Sequence, residues 1–99
     1  MNKTRQPTHP GEILREDVLP TLGVSVSQAA RDMRISRQQL HRILACTHPI
    51  TPEMAVKIGK YCGNGPRLWL NMQIACDLYN AEKRLAKELK QIPTAAVAA

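Results

Sequence analysis

Two Ser-x-x-Gln patterns, Ser25 to Gln28 and Ser36 to Gln39, constrain this chain more than any other feature. Each is a capping-box signature: the serine hydroxyl takes a free N–H of the first helical turn, and the glutamine side chain returns to the cap. The first opens a short helix with Ala29, Ala30 and Met33 on its buried side. The second opens a helix carrying Leu40, Ile43 and Leu44. Only Arg34 and Ile35 separate the two, which is the brevity of a helix-turn-helix. The motif spans about residues 25–46.

The flanks supply the rest of an all-α domain. "HPGEILREDVLPTLG" predicts a helix with Pro10 in its first turn, Glu12 at the positive end of the dipole, and Ile13, Leu14 and Val18 as its stripe. Pro20 and Gly23 are expected to end it. In "TPEMAVKIGKYCG", Thr51 can cap, Pro52 sits where its missing N–H costs nothing, and Gly63 can close the end. Met54, Ala55, Ile58 and Cys62 recur there at helical spacing. After "GNGP" the longest helix is expected over about residues 67–90, with Leu68, Met72, Ala75 and Tyr79 facing the core and Trp69 as an anchor. Phe is absent, so aliphatic packing must carry most of the stability. The domain is expected over residues 8–92, between a flexible basic arm at 1–7 and a disordered tail at 93–99.

Fourteen basic against eight acidic residues leave a net charge of +6, a surplus suited to a polyanion. Arg31, Arg34, Arg37 and Arg42 share a short stretch with one acid, Asp32. On a helical wheel with Leu40 at zero, Gln38 and Arg42 fall roughly 160° and 200° away, opposite the core. His41 and Ala45 lie beside them, and Arg37 projects from the first turn. Arginine can donate two hydrogen bonds to guanine O6 and N7, and glutamine can pair with adenine N6 and N7. A solvated helix face has the same composition, so for Arg42 alone the two readings are about equal. The combination of short turn, anchored second helix and basic ridge favours DNA. The start of the preceding helix, around Ser27 and Gln28, can offer N–H groups to a phosphate. Gln39 reads as a capping residue more than a base contact.

Other chemistry is poorly supported. Cys46, Cys62 and Cys76 form no C-x-x-C pair, so no zinc ribbon or thioredoxin-like site is expected. His41, Cys46 and His48 lie close in sequence but lack a fourth ligand, and no metal or other cofactor is expected. Glu12, Glu16 and Asp17 complement a helix dipole, no nucleophile sits in a recognisable motif, and neither an enzyme nor a small-molecule substrate is expected. No apolar run approaches membrane-spanning length, and a reducing cytoplasm is the simplest setting. The last helix does carry more apolar surface than one stripe needs. Leu70, Ile74 and Leu78 make a second face, which Leu85, Leu89 and Ile92 continue. Leu78, Leu85 and Leu89 are the candidate contact for a second copy.

"SQAARDMRISRQQLHRIL" resembles the helix-turn-helix of lambda-repressor-like (XRE) regulators. "HPGEILREDVL", "ITPEMAVKIGKYCG" and "WLNMQIACDL" narrow the resemblance to HigA-type antitoxins, some known as virulence-associated protein I, over about residues 8–85. The resemblance implies a five-helix domain that dimerises on a palindromic operator in its own promoter. It also implies a HigB partner, a RelE-type ribonuclease. Its reading positions fall on Arg37, Gln38 and Arg42, with Ser36, Gln39 and His41 alongside. Two departures stand out: the motif turn often has Gly where Arg34 stands, and the exit of the second helix often has Asn-Gly in place of Ala45 and Cys46. Alternatives are a stand-alone regulator without a toxin, or a protein-binding adaptor that has lost DNA contact.

Overall fold

The computed structural model describes residues 6–95; Lys3 and Arg5 of the basic arm and residues 96–99 of the tail lie outside the described residues. Six helices and no strand occur among them. The first, α1, is composite: α-helical at Pro10–Ile13, π-helical at Leu14–Val18, and α-helical again at Leu19–Leu22. It is followed by α2 (Val26–Met33), α3 (Arg37–Leu44), α4 (Pro52–Cys62), α5 (Pro66–Arg84) and the single turn α6 (Ala86–Leu89).

The predicted caps form. Ser25, Ser36 and Thr51 each accept, through the side-chain oxygen, the N–H of the residue three positions on, at 3.1, 2.9 and 3.2 Å. The reciprocal glutamine arm forms in neither box: the Gln28 amide donates to Asp32 at 2.7 Å and accepts from Arg31 at 2.8 Å, and the Gln39 side chain is exposed, joining the cap only through its N–H. Gly63 closes α4 in the left-handed conformation, with φ 79°.

Both helix exits of the motif turn left-handed on residues other than glycine. Arg34 has φ 59° and Cys46 φ 63°. Each is the pivot of a Schellman cap. At the end of α2, the Arg34 N–H reaches Arg31 O and the Ile35 N–H reaches Ala30 O. At the end of α3, the Cys46 N–H reaches Ile43 O and the Thr47 N–H reaches Arg42 O. Both departures from the family pattern thus keep the backbone that glycine normally supplies.

Leu14, Leu40, Ile50, Ile58 and Trp69 are fully buried and centre one core, to which α1 through α5 contribute. Leu40, Ile43 and Leu44 point into it as the wheel requires. Pro20 does not end α1: the helix runs through it to Leu22, and Gly23 (φ 70°) terminates it. Proline's missing N–H and its ring disturb the preceding turn, and the wider π turn, in which the Leu19 N–H reaches Leu14 O, absorbs that disturbance.

The stripe of α5 is rotated from the expected one. Trp69, Gln73 and Cys76 are buried, whereas Leu68 is 47% exposed, Ala75 is exposed, and Met72 and Tyr79 are half-buried. Gln73 explains the shift. Its Oε1 accepts the Ile50 N–H at 2.8 Å while its Nε2 donates to Asp77 at 2.9 Å. A polar residue serving a buried backbone group takes the place of an apolar one. Trp69 anchors as expected, its indole N–H donating to Asn64 Oδ1 at 2.8 Å.

The long helix is also shorter than expected. Residues 67–90 are not one element: α5 stops at Arg84, and Leu85 (φ −97°, ψ 8°) joins it to α6, so six helices replace the expected five. Every residue from 82 to 95 is exposed, and the molecule measures 52 × 27 × 26 Å.

Two stability measurements check this account. Arg34→Gly should relieve the left-handed strain and raise stability by about 0.5–1 kcal/mol, part of the gain being offset by glycine's freedom in the unfolded chain. Gln73→Leu should lower it by about 1–3 kcal/mol despite added apolar surface, because the Ile50 N–H is left buried without an acceptor. Urea unfolding reads both; a destabilised glycine variant or a stabilised leucine variant contradicts the corresponding assignment.

Candidate nucleic-acid interface

The exposed side of α3 is built from the inside out. Leu40, Ile43 and Leu44 hold the helix against the core, leaving Arg37, Gln38, Gln39, His41, Arg42 and Ala45 exposed. Ser36 begins the helix and gives its hydroxyl oxygen to the Gln39 N–H, which fixes the first turn.

Two contacts from α1 position this helix. A Cβ placed on Gly11 would come within 1.9 Å of the Ile43 carbonyl oxygen, so only glycine allows α1 to approach the end of α3 so closely. One turn further along, Arg15 Nη1 donates to Leu44 O at 2.7 Å, placing positive charge at the negative end of the α3 dipole. His9 starts α1 by accepting the Gly11 N–H on Nδ1 at 2.9 Å. Burial holds the pKa of His9 below its ordinary 6.5, against the opposing pull of Asp77 and Glu12, and so preserves the lone pair that this cap needs.

Thr47 holds the same, C-terminal end of α3. Its backbone N–H and its hydroxyl both donate to Arg42 O, at 3.1 Å each. Arg42 and Gln39 then flank a groove of about 500 Å³ whose far wall is His48, Pro49 and Thr51. None of these roles for His9, Gly11, Arg15 and Thr47 was read from the sequence. The one usable signal was "HPG", where a glycine in a first helical turn defies helix propensity and so suggests close approach.

The charge on this face is open. Among the described residues the ion pair is Arg15–Glu16 at 2.8 Å, so no acid neutralises Arg37 or Arg42. Asp32, the acid nearest in sequence, is engaged elsewhere: it accepts from the Gln28 amide and from the Tyr61 hydroxyl at 2.8 Å. Burial first, and then Asp32, push the Tyr61 pKa up and keep its hydroxyl a donor.

The structure therefore brings Ser36, Arg37, Gln38, Gln39, His41 and Arg42 onto one element. Ser27 and Gln28 sit half-buried in the first turn of α2, with the Gln28 side chain committed to Asp32 and Arg31. Leu78 and Leu89 are 56% and 45% exposed, and Leu85 37%, away from α3 along α5 and α6. Among the described residues no group of three or more His, Cys, Asp or Glu is arranged to hold a metal ion, and no helix is long and apolar enough to cross a membrane.

No protein-family model matches the chain. It is 37% identical over 94 residues to an HTH-type transcriptional regulator of Haemophilus influenzae, covering 93% of this chain and 88% of that protein. It is 32% identical over 91 residues to antitoxin HigA-1 of Vibrio cholerae, covering 91% and 86%. Among solved structures, antitoxin GraA in complex with its operator superposes with a TM-score of 0.86 at 31% identity, covering 99% of each chain. By helix order, by the outward ridge of α3 and by these similarities, the chain belongs to the helix-turn-helix regulator family that includes the HigA antitoxins.

Proposed function

We propose that this chain is a sequence-specific DNA-binding antitoxin: it represses its own operon as a homodimer and neutralises a HigB-type, RelE-like ribonuclease in the cytoplasm. It acts by binding and not by catalysis. The observation that carries the DNA half is the exposed, acid-free ridge of Arg37, Gln38 and Arg42 on a helix fixed from behind by Leu40, Ile43 and Leu44. The antitoxin half is supported by the similarity to HigA-1 and to the operator-bound GraA.

In this reading α3 enters the major groove. Arg37 and Arg42 offer paired N–H donors to guanine edges, and Gln38 offers a donor and an acceptor to adenine. Ser36, Gln39 and His41 border the ridge, while the first turn of α2 at Ser27 and Gln28 faces the phosphate backbone. Two copies present two reading helices about 34 Å apart, one helical turn of DNA. The exposed Leu78, Leu85 and Leu89 supply the apolar face on which those copies meet.

A stand-alone regulator is the second reading, favoured by the name of the Haemophilus relative. An adjacent gene for a small basic protein separates the two: co-expression should rescue growth from that protein's toxicity and yield a co-purifying complex. The absence of both leaves the regulator alone.

Two variants test the interface. Arg42→Ala should weaken operator binding by about 1–3 kcal/mol and random-sequence binding much less. Equal loss on both DNAs would reduce Arg42 to a phosphate contact. Leu85→Asp should sediment as a monomer at micromolar concentration with weakened operator binding; an unchanged dimer removes Leu85 from the interface.

A further inference from the structure

A cleft of about 420 Å³ lies between the start of α1, the exit of α3 and the middle of α5, and two thiols line it. Cys46 and Cys76 share this cleft with His9 and Asn80, and they meet again in an adjoining one beside His48 and Asp77. Their elements are fixed together nearby, where the Gln73 amide on α5 accepts the Ile50 N–H. Cys76 is buried, and its thiol donates to Thr8 O at 3.3 Å and Pro7 O at 3.5 Å. Burial first, then Asp77 and Cys46, push the Cys76 pKa up, so its sulfur keeps its proton. Cys46 is half-buried. The third cysteine, Cys62, sits on α4 and does not line either cleft.

We propose that Cys46 and Cys76 are a thiol pair that a hydroperoxide converts to a disulfide, tying the exit of the reading helix to α5 and weakening its hold on DNA. Cys46, the more accessible, reacts first. Its sulfur attacks a peroxide oxygen, an S–O bond forms as the O–O bond breaks, and with hydrogen peroxide one water leaves to give a sulfenic acid. The Cys76 sulfur then attacks that sulfur; the S–S bond forms, the S–O bond breaks, and the hydroxyl departs as water with the Cys76 proton. Two thiols and one hydrogen peroxide thus give one disulfide and two waters.

The consequences follow from what the two residues do when reduced. Cys76 loses the proton it donates to Pro7 and Thr8, releasing that segment from α5. Cys46 is the left-handed pivot of the α3 cap, and Thr47 next to it holds the Arg42 carbonyl through two hydrogen bonds. Drawing the Cys46 sulfur to bonding distance, about 2.05 Å from its partner, therefore moves the turn that carries Arg42.

The cross-link itself is independent of the DNA-reading proposal; only its effect on affinity rests on that reading. Full-length protein is treated with hydrogen peroxide, digested without reductant and mapped by mass spectrometry. The expected result is an intramolecular peptide pair joining Cys46 to Cys76, with the Cys62 thiol still titratable. Affinity for the DNA immediately upstream of the coding sequence should fall about tenfold and return with dithiothreitol. Cys46→Gly, which suits the left-handed site, should abolish the cross-link and the peroxide response together, while Cys62→Ser keeps both. A sulfinic acid at Cys46 without a linked peptide, or links through Cys62 or between copies, overturns the proposal. A correct cross-link with unchanged affinity in protein that binds when reduced overturns the regulatory part. If the reduced protein fails to bind DNA, the reading of α3 is at fault, and the linked peptide still decides the thiol pair.

Discussion

The close passage of α1 over the end of α3 is the constraint on which the molecule turns. Gly11 lets one backbone lie against the Ile43 carbonyl, and Arg15 takes the next carbonyl, Leu44 O. Base recognition by a short helix tolerates little positional error, because a hydrogen bond weakens steeply with misalignment. Leu40, Ile43 and Leu44 seat α3 by packing, which leaves its backbone the most freedom where no other backbone touches it. A backbone contact with no intervening side chain, next to a charge-assisted hydrogen bond, removes that freedom. The ridge of Arg37, Gln38 and Arg42 is therefore displayed by a helix held at both ends, by α1 and Thr47 at its exit and by Ser36 at its entry.

Much of this was legible in the sequence, for an identifiable reason. Ser25, Ser36 and Thr51 announce helix starts through local chemistry that tertiary structure rarely overrides. The inward set Leu40, Ile43 and Leu44 follows from helical period alone, and with it the outward position of Gln38 and Arg42. What failed did so where polarity and burial part company. Apolar side chains lie all round α5, so periodicity has no single peak there, and Gln73 looks like a surface residue until its partner at Ile50 is known. Pro20 reads as a stop because the pattern contains nothing to signal a π turn upstream. Arg15 and Thr47 act on backbone carbonyls and His9 on the Gly11 N–H, and a backbone group leaves no mark in a sequence.

Arg34 and Cys46 extend the same lesson. Both stand where glycine would cost least, and both keep the left-handed turn, because each Schellman cap supplies two hydrogen bonds that a right-handed residue would forfeit. The Arg34 carbonyl is also taken by Lys57 Nζ at 3.2 Å, which ties the motif turn to α4. At Cys46 the outcome is a thiol on the left-handed turn that ends α3, where glycine would place no side chain.

Residues 85–95 are exposed and add nothing to the core, while Trp69, Gln73 and Cys76 secure α5 well before them. Substitutions there can therefore change the outer surface without disturbing the core that seats α3. The outer end of the long helix and the core that seats α3 are thus mechanically independent.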